Sequence, residues 1–290
     1  MTGHHTVLVT GATGTTGSRV VARLAAGGHT AVAASRRTPL PTGAARAVRF
    51  DWYDPACHGA ALYGADRLYL VPPIGDPDPA AVMLPFLRQA RAAGVRRAVL
   101  LGSSAIPAGG PGVGQVHAAL PGLFDEWAVL RPSWFMQNFT GDHLHAGSIR
   151  SEGVIRTATG TGRVGFVDAD DIAAVAARLL TNASAPPATD LVLTGPQALS
   201  HDEVATLFTE ATGHPVRHLP LTPEQLRGRL SATLPEGFAN LLTDLDQAIA
   251  AGSEDRVTDT VERITGRPPR ALREVVEEWA AAASTARRKS

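Results

Sequence analysis

Lysine is nearly absent from this chain: Lys289 is the only one among its 290 residues. Enzymes that protonate a forming alkoxide with a tyrosine commonly lower that tyrosine's pKa with a lysine four residues on. None of Tyr53, Tyr63 and Tyr69 has such a lysine, so a Tyr-x-x-x-Lys pair is excluded. Cysteine is as scarce. Cys57 is alone, so no disulfide can form within the chain, and with no histidine and asparagine partners in view it reads as inert. Neither sign of charge is in excess: 27 Lys plus Arg stand against 27 Asp plus Glu. A basic stripe for nucleic acid or a charged membrane-binding face is therefore not expected. No apolar run is long enough to cross a bilayer, and the first strand begins too early to leave room for a leader segment, so a cytoplasmic protein is expected. A G-x-S-x-G elbow and a P-loop lysine motif are missing too, which removes the hydrolase and NTPase readings. His143 and His145 lie beside Asp142 without further ligands, and no metal is expected.

What is present begins with a strand-like run, Thr6-Val7-Leu8-Val9-Thr10, that leads into Gly11-Ala12-Thr13-Gly14-Thr15-Thr16-Gly17 and then a helical stretch from Ser18. Small residues let the backbone bend off a strand end and approach a pyrophosphate, whose charge meets free N–H groups at a helix start. The spacing G-x-x-G-x-x-G differs from the commoner G-x-G-x-x-G, but the strand-to-helix context is the one the chemistry needs. An NAD site would place an acid at the end of the next strand, about 20 residues on, to hold the ribose 2′-hydroxyl. Ser35-Arg36-Arg37 stands there instead. A guanidinium at that point grips a 2′-phosphate, so NADP(H) is the expected cofactor, with Arg36, nearest the strand end, as the principal contact.

The first half alternates strand-like runs (Thr6 to Thr10, Thr30 to Ser35, Ala47 to Phe50, Arg67 to Val71, Arg96 to Leu101, Trp127 to Leu130) with helical ones. The helices are read near Thr15 to Ala26, Pro55 to Leu62, Pro79 to Ala93 and Val113 to Leu120. This pattern predicts an α/β fold, a Rossmann-like doubly wound parallel sheet. After Phe139 the pattern loosens into Gly-rich loops, a helix from Asp170-Asp171 through Leu180, a strand at Asp190 to Leu193, and mainly helical sequence from Ser200 onward. We therefore expect a dinucleotide-binding domain over 1–139. Residues 140–290 would supply the remaining sheet elements, interleaved with the first domain, and a smaller, mainly helical substrate-covering part. Ser200 with Glu203 has the spacing of a capping box, and the tail from Ala280 is expected to fray.

Several segments carry a closer resemblance: Phe50-Asp51-Trp52, Leu70-Val71-Pro72-Pro73 with Asp76-Pro77, Gly94-Val95-Arg96-Arg97, Gly114-Gln115-Val116-His117-Ala118, Leu130 through Phe139, Ala158-Thr159-Gly160, Phe166 through Ile172, and Thr265-Gly266-Arg267-Pro268-Pro269. With them the chain resembles the NmrA-like atypical short-chain dehydrogenase/reductases, most closely the ergot-alkaloid reductase group of festuclavine and agroclavine dehydrogenase type. The resemblance implies NADPH-dependent reduction of an imine or iminium, in keeping with the missing Tyr/Lys pair. The same broad family holds quinone or enone reductases and non-catalytic NADP(H)-sensing regulators, which are the alternatives.

Placed on that fold, Gly11, Thr13, Gly14, Thr15, Thr16 and Gly17 are expected to hold the pyrophosphate, Ser35 and Arg36 the 2′-phosphate, and Asp51 with Trp52 the adenine. Val71, Pro72 and Pro73 would border the nicotinamide-side ribose, although Trp52 would serve equally as a packed aromatic. Ser103 and Ser104 follow the fifth strand, where related enzymes keep a substrate-facing hydroxyl, and Ser103 is counted among the cofactor-binding residues. Ser104 and His117 are the candidate catalytic groups, His117 because it is the titratable residue near neutrality on the helix where a Tyr/Lys pair would otherwise sit. Aromatics make up 5% of the chain, so Trp134, Phe135, Met136 and Phe139 form a conspicuous cluster. With Asn138 they are expected to wall a pocket for a flat hydrophobic small molecule, core packing being the alternative. A homo-oligomer is left open.

Overall fold

The structure is a computed structural model that describes residues 3–36, 41–184 and 188–289, without the side chains of residues 284 and 286–289. Arg37 and the side chain of Lys289 lie outside the described residues.

In chain order the elements are β1 (Thr6–Thr10), α1 (Gly17–Ala26), β2 (Thr30–Ser35), β3 (Arg46–Arg49), α2 (His58–Leu62), β4 (Arg67–Leu70), α3 (Pro79–Ala92), β5 (Arg97–Leu101), α4 (Val113–Leu123) and β6 (Glu126–Pro132). They continue as α5 (Gln137–Thr140), α6 (Leu144–Glu152), β7 (Val154–Thr157), β8 (Arg163–Val164), α7 (Ala169–Thr181), β9 (Asp190–Leu193), β10 (Leu199–Ser200) and α8 (His201–Thr212). The last are β11 (Arg217–Pro220), α9 (Pro223–Ser231), α10 (Glu236–Ala250), α11 (Thr260–Thr265) and α12 (Leu272–Lys289). The chain divides into two compact units. One comprises Met1–Pro132, Ala169–Leu193 and Thr260–Arg267, the other Ser133–Asp168, Thr194–Asp259 and Pro268–Ser290.

The first unit is built on a seven-stranded sheet in the order β3-β2-β1-β4-β5-β6-β9, parallel at every pairing. A sheet covered on both faces needs strands with buried, mainly apolar middles, and β1, β2 and β4 meet that demand. Leu8, Val32, Leu68, Leu100 and Val129 join Phe50, Phe86 and Leu120 in the core beneath α2, α3 and α4. Because successive strand residues point to opposite faces, Val7 and Val9 serve the other side, where α1 packs on β1 and α7 on the central strands. After β3 the chain returns to lay β4 against β1, so the strand order reverses there and a crevice opens beyond the strands' C-terminal ends.

The second unit has its own core around Met136, Phe139, Ile155, Phe166, Phe208 and Val276. Two short two-stranded sheets, parallel β7–β11 and antiparallel β8–β10, are packed by α8 against α12 and α9 against α10. Ser200 and Glu203 close the expected capping box, the Glu203 N–H donating to Ser200 Oγ at 3.2 Å and the Ser200 N–H to Glu203 Oε2 at 2.7 Å. Thr222 and Gln225 form a second one. One expectation needs correction. Residues 144–152 are helical rather than loop, since His143 caps α6 and Gly153, at φ +65°, ends it. The backbone is helical through Lys289, and Leu272, Val275 and Val276 anchor the first turns of α12 in the core.

Candidate functional site

The turn after β1 is as tight as its glycines imply. Gly11 adopts φ +60°, which favours glycine, and its carbonyl accepts the Gly14 N–H at 2.9 Å. A Cβ on Gly17 would stand 2.2 Å from that same carbonyl oxygen, and one on Gly11 would stand 3.0 Å from Val71 Cβ. No side chain caps α1 at Thr16, so its first N–H groups present their partial positive charge beyond the helix end. Arg19 steadies the turn from behind, donating to the Thr15 carbonyl at 2.8 Å and to Asp170 of α7 at 3.0 Å. Thr13 Oγ1 lies 3.2 Å from Ser35 Oγ, which joins the turn to the end of β2, where Arg36 is exposed.

The segment after β4 is held by its neighbours. The Val71 N–H donates to Thr10 Oγ1 at 2.8 Å and its carbonyl accepts the Trp52 indole N–H at 3.1 Å. Trp52 is 8% exposed and meets Phe50 and Phe86 edge-on, so it is mainly a core aromatic that positions Val71. Asp51 is bound through its backbone, its carbonyl 3.0 Å from His58 Nε2 and its N–H on Cys57 Sγ at 3.3 Å. Pro72 and Pro73 are half-buried and continue this wall. The tyrosines are otherwise engaged: Tyr53 donates to Asp76 at 2.6 Å, Tyr63 is 79% exposed, and Tyr69 is fully buried, its pKa raised by burial.

Beyond β5 a single arginine organises the backbone. Arg131, on β6, donates to the carbonyls of Ser103 at 3.1 Å and Ser104 at 2.7 Å and pairs with Asp190 at the start of β9. The Ser104 N–H reaches the Pro132 carbonyl at 3.0 Å. Both serines are thus fixed to the sheet end, Ser104 buried and Ser103 half-buried. His117 on α4 is 6% exposed, and its pKa is lowered by burial, with Asp190 opposing and Arg131 adding to the shift. Its imidazole is neutral at pH 7. Burial thus favours the neutral imidazole.

The aromatic segment after β6 belongs to the second unit and is pinned there. The Val167 N–H donates to the Trp134 carbonyl and the Met136 N–H to the Val167 carbonyl, both at 2.9 Å, while Gln137 donates to Asp168 at 2.8 Å. Trp134 and Asn138 line a cavity of about 470 Å³, together with His143, His145, Arg156 and a wall from Leu226 to Asp246 on α9 and α10. Met136 and Phe139 differ from expectation. Each is 1% exposed, and Phe139 packs against Phe166 with its face toward His145, so they support the wall instead of lining it. Phe135 is half-buried and bridges Val167 through its backbone. Arg131 and Asp246 are the polar groups that sequence reasoning missed as site residues: one was read only as part of a motif, the other sits inconspicuously in the acidic-apolar run Thr243-Asp244-Leu245-Asp246.

Among the described residues no cluster of His, Cys, Asp and Glu could hold a metal, and no helix is long and apolar enough to cross a membrane. Residues 7–69 match the NAD dependent epimerase/dehydratase family. Across 95% of both chains the protein is 43% identical to the uncharacterized oxidoreductase YesF of Bacillus subtilis. It is 35% identical to festuclavine synthase II of Penicillium roqueforti, over 94% of this chain and 97% of that one. In fold it matches an NADPH-dependent quinone oxidoreductase from Escherichia coli complexed with NADPH, at TM-score 0.78 and 24% identity, covering 94% of this chain and 99% of that one. With a sheet order and relatives of this kind along nearly its whole length, the chain belongs to the NmrA-like atypical short-chain dehydrogenase/reductases, as an oxidoreductase of the group that holds the festuclavine and agroclavine dehydrogenases.

Proposed function

We propose that this protein is an NADPH-dependent reductase that delivers hydride to an imine or iminium carbon of a bulky, hydrophobic, aromatic small molecule. The carrying observation is the conjunction of a closed dinucleotide turn with the want of an acid suited to protonating an alkoxide: none of the three tyrosines is paired with a lysine, and His117 is held neutral. A ketone needs a proton as hydride arrives, whereas an iminium carbon accepts hydride and becomes a neutral amine without one, and an imine reacts in the same way once its basic nitrogen has taken a proton from water. The turn fits a dinucleotide because side chains are absent where a pyrophosphate must approach: even one methyl group at Gly17 would collide with the backbone of Gly11.

When bound, NADPH supplies the hydride. In this reading the backbone from Gly11 to Gly17 and the start of α1 hold the pyrophosphate, with Thr13, Thr15 and Thr16 beside it. Ser35 and Arg36 hold the 2′-phosphate, Asp51 takes the adenine end with Trp52 as its buried support, and Val71, Pro72 and Pro73 form the ribose wall. Ser103, set by Arg131, stands with the cofactor-binding residues of the first unit, and Ser104 and His117 are its candidate catalytic groups. Within the second unit Trp134 and Asn138, with Phe135 at their side, are the candidate substrate-binding residues, and the chain contributes positioning more than acid catalysis.

The test is NADPH oxidation against four acceptors: dihydroisoquinoline, its N-methyl iminium salt, menadione and tetralone. Turnover of the imine and iminium with tetralone inert supports the reading. Turnover of menadione alone supports the quinone alternative, and tight NADPH binding with no acceptor reduced supports a cofactor sensor.

A further inference from the structure

α10 carries an acid into a cavity wall rich in leucine. Leu242, Leu245 and Asp246 face the second unit's cavity across from Trp134, Leu226 and Leu230. Asp246 Oδ2 accepts the Ala158 N–H at 2.7 Å, and among the described residues no cation pairs with the carboxylate. The cations in the same lining are committed elsewhere or face water. Arg156 forms a two-pronged pair with Glu152 at 2.6 and 3.1 Å, and Arg229 is exposed on α9. His143 and His145 have pKa values lowered mainly by burial and carry no charge at neutral pH. Asp246 is thus a desolvated carboxylate with one backbone hydrogen bond and no counter-ion, and burial pushes its pKa up to about 6. Leaving such a group uncompensated is costly, and a ligand bringing a positive charge to it relieves that cost.

We propose that this cavity binds cationic aromatic amines and iminium ions, with the Asp246 carboxylate as their counter-ion and the Trp134 indole as the surface on which the aromatic system stacks. The cavity's volume, about 470 Å³, lies within the range of small-molecule sites, and its leucines suit the hydrocarbon part of such a ligand. The indole adds attraction for a cation held over its face. The inference rests on the reductase reading, from which it takes the nature of the substrate, and it adds the charge and the residue that selects for it.

The experiment is isothermal titration calorimetry of the full chain at neutral pH with saturating oxidised cofactor, whose nicotinamide has no hydride to give. The probes are tetrahydroisoquinoline, cationic at that pH, and tetralin, its uncharged carbon analogue. The protein is compared with Asp246→Asn, which keeps an oxygen for the Ala158 N–H. We expect the amine to bind about ten- to a hundredfold more tightly than tetralin, and D246N to abolish that preference while leaving tetralin binding unchanged. Equal binding of the two probes by the unmodified protein overturns the proposal, as does D246N retaining the preference, or failure of the amine to bind. If D246N does not fold by thermal melting, the ratio of the two probes on the unmodified protein decides alone. The outcomes are separable from those for the reductase reading. Imine turnover without amine preference defeats only the counter-ion, and amine preference without NADPH oxidation defeats only the reductase.

Discussion

Replacing Gly17 by alanine tests the dinucleotide turn at its tightest point. The new Cβ would sit 2.2 Å from the Gly11 carbonyl oxygen, about 0.8 Å inside the 3.0 Å that real Cβ contacts keep. The obstacle is backbone and cannot rotate away. The turn must open, which breaks the 2.9 Å hydrogen bond from the Gly14 N–H to Gly11 and shifts the first N–H groups of α1 away from the position a pyrophosphate requires. Losing one charge-assisted hydrogen bond costs about 1.5–3 kcal/mol, so NADPH should bind roughly ten- to a hundredfold more weakly. Gly14 provides an internal scale, because a Cβ there meets the same oxygen at 3.2 Å, a contact that a shift of a few tenths of an ångström relieves. Gly14→Ala should therefore weaken NADPH several-fold at most. Fluorescence titration with NADPH measures both, and thermal melts separate a binding defect from a folding one. If Gly17→Ala binds NADPH as tightly as the parent, or if Gly14→Ala is the more damaging change, the turn is not a phosphate cradle and the reasoning fails.

Arg36→Ala should lower the preference for NADPH over NADH by roughly tenfold or more while leaving the melting temperature unchanged, since the side chain is exposed; dissociation constants for both cofactors decide this. Arg131→Ala removes the donors that hold Ser103 and Ser104 and strips Asp190 of its partner, so a loss of about 2–4 kcal/mol in denaturant unfolding should accompany a fall in kcat, and Arg131→Lys should restore little of either. His201 is buried with its pKa lowered to about 3, and His145 is shifted in the same direction. The unfolded chain then binds more protons below the ordinary histidine pKa, so stability is full above about pH 6.5 and falls as pH drops toward 3, by about 1.4 kcal/mol per pH unit for His201, with His145 adding in the same direction. Asp246, raised from 3.8 to about 6, acts in the opposite sense between those values and offsets part of the slope. His201→Asn should flatten the acid limb of a melting-temperature profile, and an unchanged slope would contradict the assignment.

How much the amino-acid order disclosed differs between the two units for physical reasons. In the first, β1 and β4 are largely apolar, Gly11 needs its positive φ and Gly17 has no room for a Cβ beside the Gly11 carbonyl, so strand, turn and helix could be read locally. The Arg131 clamp could not, because it joins residues 27 and 59 positions apart in the chain, and nothing local in Leu130-Arg131-Pro132 indicates what the guanidinium reaches. In the second unit, β8 and β10 are two residues long and exist only by pairing with each other, leaving no periodicity to detect. The aromatic cluster was visible as composition. Which of its members face a cavity depends on the Val167 pairing, which rotates Trp134 and Asn138 toward the space and Met136 and Phe139 into the core. Asp246 is the least conspicuous residue of that cavity, since the backbone N–H it accepts, that of Ala158, lies 88 residues away in the chain.

The measurement that bears most directly on the central claim is the fate of deuterium from NADPH labelled at the transferable position of the nicotinamide, with dihydroisoquinoline as acceptor. Direct hydride transfer predicts one deuterium on the former imine carbon for each NADPH oxidised. Amine product without deuterium at that carbon, or labelled NADPH that binds tightly and is never oxidised by any imine, would contradict the account.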